Sequence, residues 1–347
     1  MGTYIFLMLF SVAAFFSIRL VKNESLTNII ILIWLIVIVF ISGFRVDLGQ
    51  DYSGYKSNFE NQEFSHYEPL VALLCEILYY INLPYIYFFV ALSLFTFIFF
   101  LKFVSGKDRE IQYLIVLIFL ALPHYYFQTY NLTRQMLAVV IFAYASTLIG
   151  SKIKYIFYII ICSMIHQSVL FAMPFVIMLE IFNSFKYDKL LYIASLIIFI
   201  NPSLIQTTIP FLGSLFKHEY SENYLLTHQV YSLDFSYGPM IIINIFLTIF
   251  IIINKIKFYS IGMQREYNYF LIGQILFNFL SWDMALARFS YYFIFFYISI
   301  IPSLVILFND KYKNIIHITL CTTYLLFFFR MMDDTNPFIP YKNYFFN

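Results

Sequence analysis

In a chain that is otherwise apolar, a few short stretches carry residue types able to do chemistry. The first is Phe44-Arg45-Val46-Asp47-Leu48-Gly49-Gln50-Asp51-Tyr52-Ser53-Gly54-Tyr55. On a helix, Asp47 and Asp51 would share a face, as would Tyr52 and Tyr55. Gly49 and Gly54 argue equally for turns. Two carboxylates beside an arginine suit an acid/base pair or a sugar clamp, and the plainer alternative is a solvated acidic loop. The second stretch is Glu68-Pro69. Proline there opens a helix at the position where its missing N–H is not needed. The glutamate either complements the helix dipole or points into a cavity.

The third stretch runs from His124 through Tyr125, Tyr126, Tyr130 and Asn131 to Arg134 and Gln135. Tyrosines between two apolar runs read as an interfacial belt. Arg134 opens an apolar run, so it either snorkels to the interface or is held there by an anionic substrate. The fourth, His166-Gln167-Ser168, interrupts an apolar stretch, which makes His166 a candidate general base or hydrogen-bond donor. The alternative is a structural histidine satisfied by a backbone carbonyl. No GxSxG nucleophile motif accompanies it. Further on, Asp283 could orient Arg288, and Arg330 closes the last apolar run ahead of Asp333, Asp334 and the segment Asn336 to Tyr341. Residues 210–236, with His218, Glu219, Glu222, His228 and Asp234, read as a lid or acceptor-binding surface. His218 and His228 have no cysteine partners nearby, so neither a metal site nor a cofactor is expected.

The elements that must position these residues follow from composition. Of 347 residues, 62% are hydrophobic and 12% charged, against roughly 45–50% and about 25% in soluble domains. A globule of this size could not hide that much apolar surface from water. A soluble enzyme, a disulfide scaffold and a disordered chain are thereby excluded, and an all-α, polytopic integral membrane protein is expected. Cys75, Cys162 and Cys321 lie in apolar runs and read as buried free thiols. No basic run points to nucleic acid, and no cleavable signal peptide is expected.

Apolar runs place about twelve spans near residues 3–20, 26–43, 83–104, 111–130, 132–150, 153–167, 168–184, 188–209, 237–254, 267–284, 288–308 and 314–330. The run 67–81 would reach only about 22 Å as a helix, short of the roughly 30 Å hydrocarbon core. Treating it as an outer-leaflet half-helix puts fourteen of the 21 lysines and arginines on one side, together with only seven of the 19 acidic residues. By the positive-inside rule that side is cytoplasmic. The expected organisation is a single membrane domain over residues 1–347 with extracytoplasmic loops 44–66 and 210–236. Four of the seven arginines, Arg45, Arg134, Arg288 and Arg330, fall on the outer side with most of the acids. Arginine's planar fork holds phosphate or carboxylate with two bonds, so an outer anion site is expected.

The order Phe44-Arg45, Gly49-x-Asp51-Tyr52-x-x-Tyr55, Glu68-Pro69, Arg134-Gln135 and His166-x-Ser168 resembles the EpsG-like branch of the Wzy-type O-antigen and exopolysaccharide polymerases. The resemblance covers roughly residues 40–175 by motif and the C-terminal half by hydropathy. It implies a GT-C-like glycosyltransferase of the bacterial inner membrane that uses no nucleotide sugar. Its substrates would be undecaprenyl-pyrophosphate-linked donor and acceptor glycans, the growing chain moving onto the non-reducing end of a new repeat unit. Arg134, His166 and Asp51 would be catalytic. Arg45, Asp47, Tyr52, Tyr55, Glu68, Gln135, Ser168, Arg288 and Arg330 would bind substrate. A chain-length regulator is a further expected partner, beside the bilayer itself. The rivals are a flippase or other transporter, an O-antigen ligase and a membrane O-acyltransferase. A transporter would place ionisable groups near the midplane and carry internal repeats, whereas here the charges gather at one face.

Overall fold

The computed structural model describes residues 1–182, 187–201, 238–281, 284–308, 310–332, 336 and 338–346. Among the described residues the structure is helical, with one isolated antiparallel bridge, Arg45 to Asn343, and no strand. Among the described residues, five helices are long and apolar enough to cross a membrane: Gly2–Leu20, Glu24–Gly43, Ile86–Ser105, Arg288–Leu307 and Lys311–Met331. The other described helices in the expected spans are shorter. The run 111–130, for instance, leaves helical geometry at Leu122, just before Pro123, because proline disfavours helix in the residue preceding it.

The chain divides into two compact units. Unit 1 is Met1–Leu170 with Ile301–Asn347, and unit 2 is Phe171–Ile300. Unit 1 contains α1 (Gly2–Leu20), α2 (Glu24–Gly43), α3 (Tyr52–Glu60), α4 (Pro69–Tyr80), α5 (Ile86–Ser105), α6 (Arg109–Ala121), α7 (Gln128–Asn131), α8 (Thr133–Thr147) and α9 (Lys152–Ile165). Helix α6 is buried at every position from Ile111 to Ala121, and α8 is buried nearly throughout. Helices apolar on all sides belong inside a bundle, and α1, α5, α9 and the C-terminal helix pack around these two. Helices α1 and α2 keep outward faces of Phe6, Leu9 and Phe16 and of Ile29, Leu32 and Ile36 exposed. In water such faces would cost free energy; in lipid they do not.

Unit 2 holds α10 (Val169–Phe182), whose first residues begin in unit 1, α11 (Asp188–Ile200), α12 (Gly238–Ile253), α13 (Lys255–Ser260), α14 (Gln264–Leu280), α15 (Met284–Ala287) and α16 (Tyr291–Ile294). Helix α17 (Tyr297–Leu307) leads back to unit 1, which ends with α18 (Asp310–Met331) and the segment after it. In unit 2, α14 packs against α11 and against α16, where Gly273 lets the backbones meet: a Cβ there would lie 2.4 Å from the Ile294 nitrogen. Asp188 pairs with Lys255 at 2.9 Å and accepts from the Tyr267 hydroxyl, and Asn278 donates to Ser195 between α14 and α11.

The two ends of unit 1 gather different polar groups. At one end Arg19 and Lys313 both pair with Glu110, at 3.2 and 2.5 Å, and Arg109 donates to the Val21 carbonyl. At the other, the end of α2, the start of α8 and the chain's C-terminal segment converge. Helix α4 has 12 residues, about 18 Å. Its Tyr79 returns to the preceding loop, where it accepts from Gln62 at 2.6 Å and packs on Phe59 and Phe64.

Candidate functional site

The loop after α2 is built around Arg45. Its Nη1 donates to the Ser42 carbonyl at 2.5 Å, Nε to Leu48 at 3.4 Å, and Nη2 to Thr133 Oγ1 at 3.1 Å and the Tyr130 carbonyl at 3.5 Å. The guanidinium lies 4.8 Å from the Phe89 ring centre and 4.6 Å from that of Tyr130. Arg45 is 0% exposed, and burial pulls its pKa below the ordinary arginine value, with the neighbouring tyrosines opposing. The expected anion ligand is thus a lock inside the fold, its donors directed to protein oxygens. The C-terminal segment closes over it: Val46 N–H donates to Lys342, Tyr344 N–H to Phe44, and Tyr341 OH to Ile41.

Residues 47–51 form a turn, so Asp47 and Asp51 do not share a helical face. Asp47 has φ +53° and Gly49 φ +102°. A Cβ at Gly49 would lie 2.4 Å from the Tyr130 carbonyl oxygen, so the loop reaches this close only with glycine. The Gln50 amide then docks on Asn131 Oδ1 at 2.9 Å. Asp47 and Asp51 stay exposed, and Asp51 stands at the N-cap of α3. Tyr52 and Tyr55 do share a face of α3, and both are buried. Tyr52 donates to the Tyr85 hydroxyl at 3.2 Å and stacks on Phe89.

Tyr55 leads to the polar centre. Its hydroxyl accepts from Arg134 Nε at 3.0 Å, and Arg134 Nη1 pairs with Glu68 Oε2. The Arg134 guanidinium stands over two rings, 5.6 Å from Tyr55 and 5.0 Å from Tyr67. Burial pushes the Tyr55 phenol up against the opposing pull of Arg134, and pushes that of Tyr67 up to about 12. Both hydroxyls are therefore neutral at physiological pH and available as hydrogen-bond partners. The second Glu68 oxygen accepts from the Gln167 amide at 3.4 Å, which brings the His166 turn to the same place. That turn separates α9 from α10, as the polar break in the sequence implies. Within it Ser168 N and Oγ lie 3.3 and 2.6 Å from His166 Nδ1. A backbone N–H can only donate, so Nδ1 is the acceptor, and the proton of the neutral ring is assigned to Nε2.

Of the expected site residues, the structure joins Tyr55, Glu68 and Arg134 directly, with the His166–Ser168 turn one amide away. Arg45 and Tyr52 lie behind them in the supporting layer. Gln135 is buried on α8, and Arg330 is exposed on the last turn of α18. Arg288 belongs to unit 2, where it opens a single 3-10 turn. Asp283, Asp333, Asp334 and residues 210–236 lie outside the described residues. Sequence reasoning passes over Tyr67, Thr133 and Asn131 as site residues, each next to a recognised motif residue or inside a recognised stretch. It also reads the tyrosines of 125–130 as an interfacial belt. Instead Tyr125, Tyr126 and Tyr130 are core residues, and Tyr126 bonds Tyr130 at 2.6 Å and Ser42 at 3.0 Å. The paired hydroxyls of Tyr126 and Tyr130 satisfy one another, which lets these rings pack in the interior.

Apolar helices and one polar, arginine-centred end define a multi-span helical membrane protein. The EpsG family profile matches residues 28–343, and the chain belongs to the EpsG family. No curated protein and no solved structure matches it.

Proposed function

We propose that the protein is a polymerase of lipid-linked oligosaccharide repeat units, transferring glycan from undecaprenyl pyrophosphate to the non-reducing end of another lipid-linked unit. The observation that carries this reading is Arg134: a cation at the mouth of an apolar helix, gripped by Tyr55 and Glu68, in a chain of the EpsG family. A diphosphate leaving group needs a fixed cation where negative charge develops. Preorganised charge at that point usually contributes more to such catalysis than any other single effect. Arg134 supplies it. His166 or Asp51 takes the proton from the acceptor hydroxyl. Routing it through His166 requires the ring to accept at the nitrogen that Ser168 does not occupy, so a tautomer shift accompanies that route. Tyr55 faces the sugar side with Tyr52 packed behind it, and Gln135 and Ser168 support their neighbours Arg134 and His166.

In this reading the chain is a GT-C-like protein of about twelve spans in the bacterial inner membrane. Its Arg45–Arg134 end faces away from the cytoplasm, α4 lies in the outer leaflet, and a chain-length regulator is a partner. The reading is tested in cells lacking the wild-type copy, with Arg134→Ala and His166→Ala supplied in turn. Single repeat units on the lipid carrier are expected in place of polymer. Full-length polymer from both variants refutes the assignment. Long unattached chains indicate a ligase, and units trapped on the cytoplasmic side indicate a flippase.

A further inference from the structure

Glu68 joins two elements through its two oxygens. Oε2 takes Arg134 Nη1 from the start of α8, and Oε1 accepts the Gln167 amide from the turn that carries His166 and Ser168. The side chain stands at the N-cap of α4 yet makes no cap bond to its own helix. Its hydrogen bonds go across the site and not to its own helix.

The pair it makes is a partial one. Arg134 gives Nε to Tyr55, so Glu68 receives a single nitrogen and not the two-bond fork that makes arginine–carboxylate pairs strong. Arg134 Nη2 has no partner among the described residues. The two side chains are 21% and 13% exposed, so a ligand can reach them. A diphosphate brought to Arg134 would meet the Glu68 carboxylate at the same guanidinium. Two anions on one cation repel, and the one with more charge and more acceptor oxygens prevails.

We propose that Glu68 is a placeholder for the substrate's diphosphate: it holds Arg134 until the anion arrives, and the anion displaces it. Displacement also frees the Gln167 amide, so anion binding on Arg134 is relayed to the His166–Ser168 turn. The Ser168 bonds to His166 lie within the turn and survive the change, which lets it move as a unit. The proposal rests on the reading of Arg134 as the diphosphate ligand.

The test uses the purified full-length protein in lipid nanodiscs with inorganic pyrophosphate as the probe, titrated by calorimetry. Glu68→Gln keeps the shape and removes the competing charge. It is expected to bind pyrophosphate roughly ten-fold more tightly than wild type, equivalent to about 1.4 kcal/mol. Glu68→Asp, one methylene short of both partners, is expected to show a smaller gain, and it serves if the glutamine variant does not fold. In the wild type, hydrogen exchange over residues 163–170 should quicken when pyrophosphate saturates the site. Arg134→Ala should abolish binding. If Arg134→Ala abolishes binding but neither Glu68 variant binds more tightly, Glu68 is a buttress of the site and the placeholder is refuted, while the reading of Arg134 stands. Unchanged exchange over 163–170 overturns the relay. If Arg134→Ala binds as wild type does, the diphosphate reading falls, and the proposal with it.

Discussion

Replacing Arg45 by alanine separates two roles that the sequence alone leaves together. An anion ligand could be removed with little cost to the fold, whereas a buried lock could not. The structure favours the lock. Arg45 is 0% exposed and donates to Ser42 at 2.5 Å and Thr133 at 3.1 Å, with longer bonds to Leu48 and Tyr130. Truncation leaves the Ser42 carbonyl buried without its donor, while the Tyr130 carbonyl keeps Thr133 Oγ1 at 3.3 Å, and it opens a void between Phe89 and Tyr130. One orphaned acceptor at about 1–3 kcal/mol, with about 2 kcal/mol for the void, gives a loss of about 3–5 kcal/mol. For a unit of roughly 200 residues that lowers Tm by roughly 6–20 °C. The melt is followed in detergent by tryptophan fluorescence, since the buried Trp34 ring packs on Phe15, Phe97 and Phe100 between α1, α2 and α5. Arg134→Ala, run beside it, should keep its Tm within a few degrees and lose polymer, because Arg134 is partly exposed. Arg45→Lys should fall between alanine and wild type, since one ammonium cannot span the same set of acceptors. An Arg45→Ala protein with wild-type Tm and no polymer would show that Arg45 is a ligand and that the reasoning fails.

Gly49→Ala should disorder the loop at a cost of at least about 1–3 kcal/mol, from its φ of +102° and the Tyr130 carbonyl. Gly54→Ala, with open space and a helical position in α3, should be neutral or stabilising by about 0.5–1 kcal/mol; hydrogen exchange over 44–60 distinguishes the two. Tyr67→Leu removes one ring face from Arg134 and should weaken pyrophosphate binding roughly two- to thirty-fold, for about 0.5–2 kcal/mol of cation–π attraction. Tyr67→Phe should bind as wild type does, by the same titration. At the opposite end, partial burial pushes the Glu110 carboxyl up, but Lys313 and Arg19 outweigh it and hold the group below the usual carboxylate range. A depressed carboxylate adds stability that is present above its unfolded pKa and is lost as pH falls through the folded one. Melts of the wild type should therefore lose stability below the ordinary carboxylate range, and Glu110→Gln should lack that part of the acid loss.

What the sequence makes legible depends on whether a signal is local or summed. The break at His166-Gln167-Ser168, the short helix after Glu68-Pro69, and Tyr52 and Tyr55 on one face are local. Each follows from a few neighbouring residues, and each is present. The sorting of loops by charge is summed over the chain; in unit 1 Arg19, Glu110 and Lys313 meet at one end and Arg45, Thr133 and Asn343 at the other. What escapes is burial. Arg45 and Arg134 have the same charge and similar flanks, yet one faces carbonyls in the interior and the other a carboxylate near the surface. That difference is set by residues distant in the chain: Thr133 and the returning segment 341–344 for Arg45, Tyr55 and Glu68 for Arg134. The tyrosines of 125–130 escape for the same reason. A phenol beside an apolar run belongs at a membrane interface unless a second hydroxyl waits inside, and Ser42 lies 84 residues from Tyr126. Gly49 ties the two problems together. Its missing Cβ lets the loop of Arg45 rest on the Tyr130 carbonyl, so the buried arginine and the buried tyrosines are one construction. Arg134 follows closely on Asn131, whose side chain is where that loop docks. The lock at Arg45 therefore also fixes the start of α8, and with it Arg134, which is left partly open to a ligand.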